Sequence, residues 1–340
     1  MDNNLCYSFV VGNQKKMGYI KIPSFYGDEQ GTNYLSNDVA NEIIKLKNDK
    51  VNGIIIDLEY NGGGNTFEAV KLVGMFIDLG PVAIINNNNN VSETLKDFNR
   101  GFSYDGPLVI MINGFSASAS EFFANAMQDY NRAIIIGNSS FGKATAQSII
   151  PFEDNETNED FLKITEQKFY RITGKSHQKN GLTPDIELPM LFDSFIPRES
   201  GKNYALEADE IVQKLHFKKF KNDFSDAIEK SKNRINTNSY FTSIDSINQI
   251  IKTNFNQDKK PLLLDFKSVF EDVHKLNDLY EEIAKILKTK FSFQIQNTSE
   301  DIEKIKFNSF LQNETNEKIK QLENNGRVEE AIKILEHLIN

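Results

Sequence analysis

What is missing from this 340-residue sequence narrows its reading first. It has no Trp and a single cysteine, Cys6, so no disulfide can close within the chain and cysteine usage says nothing of its compartment. No apolar run approaches the roughly 20 residues that cross a bilayer. Met1 to Asn4 is polar and leads into no apolar core, so no signal peptide is visible. Positive charge is not in excess: 39 Lys and Arg stand against 48 Asp and Glu. The lysines of the second half are interspersed with acids, as on a solvated helix face, which argues against nucleic acid as a partner. Only four histidines occur, and none belongs to a strand or helix of the β/α core pattern. What remains is an acidic globular chain, long enough to bury a large core and a smaller one.

The first part alternates apolar β runs with helical spacing. Tyr19 to Ile22 reads as a strand, Leu35, Val39, Ile43 and Leu46 as a helix face, and Ile54 to Leu58 as the next strand. The alternation continues with a helix from Thr66 to about Ile77, a strand from Leu108 to Ile112, a helix from about Ser120 to Tyr130 and a strand from Ile134 to Ile136. Asn86 to Asn90 reads as an exposed turn, and the acidic Glu153 to Asp160 as a solvated hairpin tip ahead of a β-rich stretch from Leu162 to Ile172. Past Leu188 and Pro189, Gly and β-branched runs thin out. This change predicts a boundary near 190, with an α/β unit over 1–190 and an all-helical unit over 191–340. Helices are expected over roughly 205–217, 219–233, 242–254, 266–289 and 328–339.

Three segments of the first unit could carry chemistry. Ser116-Ala117-Ser118-Ala119-Ser120 lies between a strand and a helix, where free N–H groups and the helix dipole favour developing negative charge. Such a place suits an acyl-transfer nucleophile, although Ser is also a preferred N-cap, and the segment alone leaves both readings open. A serine needs a base. His177 sits in a polar Gly174 to Lys179 turn and is expected at the surface, whereas His216, His274 and His337 lie in the helical part. Lys143 in Phe141-Gly142-Lys143 follows a strand through a short turn, and an amine serves as base if burial lowers its pKa. Gln147, four residues on, shares its face and could orient the amine. Asn61-Gly62-Gly63-Gly64 follows another strand, and its N–H groups, with that of Ala119, could form an oxyanion hole. A phosphate loop would need the missing Lys-Ser/Thr.

Together these segments resemble the tail-specific, or C-terminal processing, proteases. The resemblance rests on IIIDLEYNGGGNTFEAV at 54–70, NGFSASASEFFANAMQDYNRAIIIGNSSFGKATAQ at 113–147 and KNGLTPDIELP at 179–189, with Lys143 following Ser118 by 25 positions as in the family. It implies a serine endopeptidase with Ser118 as nucleophile, Lys143 as base, Gln147 positioning the lysine, and oxyanion donors from Gly63 or Gly64 and Ala119. Glu121, Asp129 and Ser140 fall at supporting positions. The fold implied is a crotonase-like, Clp-type β/α core with a helical extension.

The resemblance further implies no metal or organic cofactor, polypeptide substrates with apolar C-termini, and a periplasmic or secreted setting. Oligomeric state is not legible. The alternatives are a catalytically silent protein that binds a peptide or lipid in the same cleft, and acyl-CoA chemistry that would use the glycines without Ser118 or Lys143. Two departures stand out. Glu59 occupies a position where the family usually has Arg, and members normally carry a PDZ domain ahead of a core with which this sequence begins.

Overall fold

The computed structural model describes residues 6–27, 34–89, 91–151, 161–212, 215–254 and 263–339. Along the first half the elements are β1 (Tyr7–Gly12), β2 (Met17–Lys21), α1 (Leu35–Asn48), β3 (Gly53–Asp57), α2 (Thr66–Gly74), β4 (Gly80–Asn87), β5 (Ser92–Asp97), β6 (Leu108–Ile112), α3 (Ala119–Asp129), β7 (Ile134–Gly137), β8 (Thr145–Pro151), β9 (Phe161–Tyr170) and β10 (Ile186–Glu187). The second half adds α4 (Ser225–Thr237), α5 (Ser239–Asn254), α6 (Phe266–Leu287), β11 (Gln294–Gln296), α7 (Ser299–Ile305), α8 (Ser309–Glu323) and α9 (Gly326–Ile339). The expected acidic tip over 153–160 lies outside the described residues.

Apolar runs such as Gly53–Asp57 and Leu108–Ile112, buried at every position, are what a parallel strand covered on both faces requires. They form the middle of a sheet ordered β10-β7-β6-β3-β2-β1-β11. The pairings from β2 through β3, β6 and β7 to β10 are parallel, while β1 and β11 close the far edge antiparallel. Because side chains alternate across a strand, Ile54 and Ile56 meet α1 to α3, whereas Ile55, with Val109, Met111, Ile134 and Ile136, meets Phe241, Leu322, Val328, Ala331 and Leu335. The result is a three-layer α/β arrangement. A smaller antiparallel sheet ordered β5-β4-β9-β8 stands beside it.

Three expectations are corrected here. The stretch after 190 is not all helical, because β11 pairs with β1 and extends the large sheet. None of the described residues in the expected 205–217 helix is helical. Its backbone instead bonds outward, Ile211 N to Gly174 O at 3.0 Å and Leu215 N to Ile172 O at 3.3 Å, so pairing with the α/β part replaces the helical ladder. The helix expected to start at 219 begins at Ser225, because Phe220 N is taken by Tyr130 O at 2.9 Å. Asn86 to Asn89 joins β4 to β5, partly as strand and partly as turn.

Parallel register brings strand ends together: Asp57 sits opposite Met111, and Ile112 opposite Gly137. The loops that leave β3, β6 and β7 therefore converge beyond one end of the sheet, where open α/β sheets place their ligands.

Candidate active site

The loop after β3 is tied to the turn after β6 by Asn61. Its Nδ2 donates to Ile22 O at 2.8 Å, its Oδ1 accepts from Gly63 N at 2.9 Å, and its carbonyl accepts from Ala117 N at 3.0 Å and Ser120 Oγ at 2.9 Å. Gly63, at φ +100°, packs so closely on this turn that a Cβ would lie 2.8 Å from the Cβ of Ser118. No other residue fits there. The N–H of Gly63 is spent on Asn61, whereas the N–H groups of Gly64 and Ala119 have no hydrogen-bond partner among the described residues.

Ser118 caps α3 with φ 58° and ψ −114°, outside the regions a residue with a side chain ordinarily occupies. Such a backbone costs on the order of 1–3 kcal/mol and persists only where its surroundings hold it. A strained turn from strand to helix that pushes out a serine is the arrangement of a nucleophile elbow. What holds it is Glu121, one turn into α3 and fully buried. Glu121 Oε2 accepts from Ser118 N at 2.8 Å and from Lys143 N at 2.9 Å. Its Oε1 accepts from Gly142 N at 2.7 Å and from the hydroxyl of Ser140. One carboxylate thus joins the turn that carries the serine to the turn that carries the lysine. Burial pushes this carboxyl up to about 7, against the pull of its four donors.

Lys143 is half-buried, and its Nζ makes no hydrogen bond or ion pair among the described residues. Desolvation holds its amine below the usual lysine value, and the neighbouring charges of Lys163 and Lys202 press in the same direction. An unpaired, partly desolvated amine is what a lysine base requires. Gln147 lies in β8, just past a register shift, and its Nε2 donates to Thr145 Oγ1 at 2.9 Å and Thr165 Oγ1 at 3.3 Å. Asp129 is held by Arg171 through both carboxylate oxygens, a brace at the end of α3.

His177 is not at the surface as expected: it is 5% exposed. The 175–181 segment folds over the lysine turn, with Lys179 N donating to Gly142 O at 2.7 Å and Gln178 Oε1 accepting from Ala144 N at 2.7 Å. This places His177 Nε2 3.9 Å from Glu121 Oε2. Neither ring nitrogen has a hydrogen-bond partner among the described residues, and desolvation depresses the imidazole to about 4. Spacing alone could not reveal either the Asn61 knot or this burial, because both depend on loops that meet only in three dimensions. Among the described residues no group of three or more His, Cys, Asp and Glu side chains converges as a metal site.

Comparison with known proteins follows the same segments. Residues 16–188 match the family model for peptidase family S41. The chain is 35% identical over 286 residues to a tail-specific protease of Haemophilus influenzae, covering 80% of this chain and 40% of that protein. To a carboxy-terminal-processing protease of Bartonella bacilliformis it is 34% identical over 203 residues, covering 59% of this chain and 44% of the relative. It thus spans less than half the length of either. Among solved structures, a photosystem II D1 C-terminal processing protease overlaps 55% of this chain and 49% of its own, at 24% identity and a TM-score of 0.47.

Proposed function

The chain belongs to peptidase family S41, and from that premise we propose that it hydrolyses peptide bonds with Ser118 as nucleophile and Lys143 as general base. The observation that carries this reading is the Glu121 carboxylate, which joins a strained serine at a helix N-terminus to the turn bearing an unpaired amine. Neutral Lys143 takes the Ser118 proton as the hydroxyl attacks the scissile carbonyl. The N–H groups of Gly64 and Ala119, with Gly63 shaping the loop, receive the oxyanion. Lys143 then returns the proton to the leaving amine, and water releases the acyl group. Gln147 makes no hydrogen bond to Lys143 Nζ among the described residues, its Nε2 being held by Thr145 and Thr165, so its role in orienting the amine rests on kinship alone. Buried neutral His177, too weak a base near pH 7 and out of solvent, serves as filling beneath the lysine turn.

The substrate is an unfolded polypeptide laid extended along the free edge of β8, which starts two residues after Lys143 and exposes Ile149 and Ile150. A preference for apolar C-termini and a setting outside the cytoplasm follow from kinship alone. The core is crotonase-like, residues 1–190 carry the chemistry, and 191–340 support it. The test is cleavage of an unfolded casein-type substrate. Ser118→Ala and Lys143→Ala should each lower kcat by about 10³-fold or more, and His177→Ala should keep most activity in whatever fraction folds. Full activity in Lys143→Ala sinks the dyad. Binding of the substrate without cleavage by the unaltered chain supports the silent binding reading instead.

A further inference from the structure

The loops of the site meet again at a guanidinium from the far end of the sequence. Arg327, the second residue of α9, is buried. Its Nη1 donates to Asn138 Oδ1 at 2.7 Å, its Nη2 donates to Ile112 O at 3.1 Å, and Nη2 stands 2.6 Å from Glu59 Oε1. Each partner belongs to a different working segment. Glu59 opens the loop that carries Gly64, Ile112 ends the strand that runs into Ser118, and Asn138 begins the turn that carries Lys143. Gly137 leaves room for the group, although an added Cβ would meet Ile112 O at 1.9 Å before Nη2 at 2.7 Å. Glu59 is itself tied down, its N–H donating to Asp57 Oδ1 at 2.8 Å and its carbonyl accepting from Lys21 Nζ at 2.8 Å.

We propose that Arg327 is a positioning residue for hydrolysis, fixing the glycine loop, the nucleophile strand and the lysine turn in one register from behind. The inference rests on the dyad reading above. An ion pair that served stability alone would need only Glu59. A planar fork spread over three segments sets their relative placement, and lysine cannot reproduce it. Displacing reacting groups by about 1 Å is enough to lower turnover about 100-fold.

The experiment compares the unaltered chain with Arg327→Lys, which keeps a positive charge for Glu59 but loses the fork. A second variant, Glu59→Gln with Arg327→Met, removes both charges so that none is left buried alone. In a folded variant, kcat on unfolded casein should fall about 100-fold with KM changed no more than about threefold. Amide hydrogen exchange should rise together over 59–64, 113–118 and 138–143, and stay unchanged in β9. Undiminished kcat in a folded variant, or faster exchange confined to α9, overturns the proposal. So does failure of both variants to fold, which would make Arg327 a structural prop. If the unaltered chain cleaves nothing, the dyad reading falls, and the exchange measurement still decides the role of Arg327.

Discussion

One face of the large sheet is covered by α1, α2 and α3, each delivered between the strands it covers; the other is covered by α4, α5, α8 and α9, which follow every parallel strand in the sequence. Both faces are apolar to the same depth, with Ile54 and Ile56 on one and Ile55 on the other all fully buried. The difference lies in distance along the chain. The first face is made by neighbours and the second by long-range return, so a change in sequence texture near 190 coincides with no break in the core beneath it.

Cutting the chain there is the harshest way to break this comparison. A 1–190 fragment should fail to unfold cooperatively, because it bares the Ile55, Val109, Met111, Ile134 and Ile136 side of the sheet; a sharp thermal transition in the fragment would show the first half to be self-sufficient. A milder cut is Leu335→Ala. Leu335 is fully buried in α9 against Gly53, where a Cβ would lie 3.0 Å from its Cδ2. Its loss should cost about 2–5 kcal/mol in urea unfolding, whereas Phe310→Ala, at a side chain 74% exposed on α8, should stay within about 0.5 kcal/mol.

Proton linkage sharpens the picture at the site end. Glu121 is raised from 4.5 to about 7, so the folded protein keeps a proton that the unfolded chain has lost, and this group's share of stability falls as pH rises from 4.5 toward 7. His177 is lowered from 6.5 to about 4, so its share falls as pH drops from 6.5 toward 4. The two slopes oppose each other across most of that range. His177→Leu should therefore expose a loss of up to roughly 3 kcal/mol on going from pH 4.5 to 7, and Glu121→Gln the reverse slope, both read from urea midpoints. Parallel slopes in the two variants would contradict the assignment. The smallest effect concerns Lys143. In the proposed dyad its neutral form is the active one, so activity should rise with pH along a limb below the usual lysine range, and Lys163→Gln, by removing a like charge, should move that limb upward.

Much of the first face was legible because buried parallel strands write themselves as unbroken apolar runs: β3, β6 and β7 fall within a residue of their expected places, and α2 and α3 begin where Asn65 and Ser118 cap them. The weak spots have physical causes. Short edge strands such as β11 have little burial to pattern, and the 205–217 stretch has helical spacing that tertiary backbone pairing overrides. At the site, residue types and spacing offered Ser118, Lys143 and the glycines as candidates, and the family resemblance assigned their roles. They could not show that Gly63 gives its N–H to Asn61, that His177 is buried, or that Glu59 faces an arginine 268 positions further on.

The order of synthesis gives that last distance a meaning in time. A ribosome completes both turns around Glu121 about 180 residues before it makes α9. Until that helix emerges, the growing chain carries a sheet with one wet greasy side, and the loops beyond its strand ends lack the Arg327 contacts. That interval is when the uncovered side most needs a chaperone to shield it.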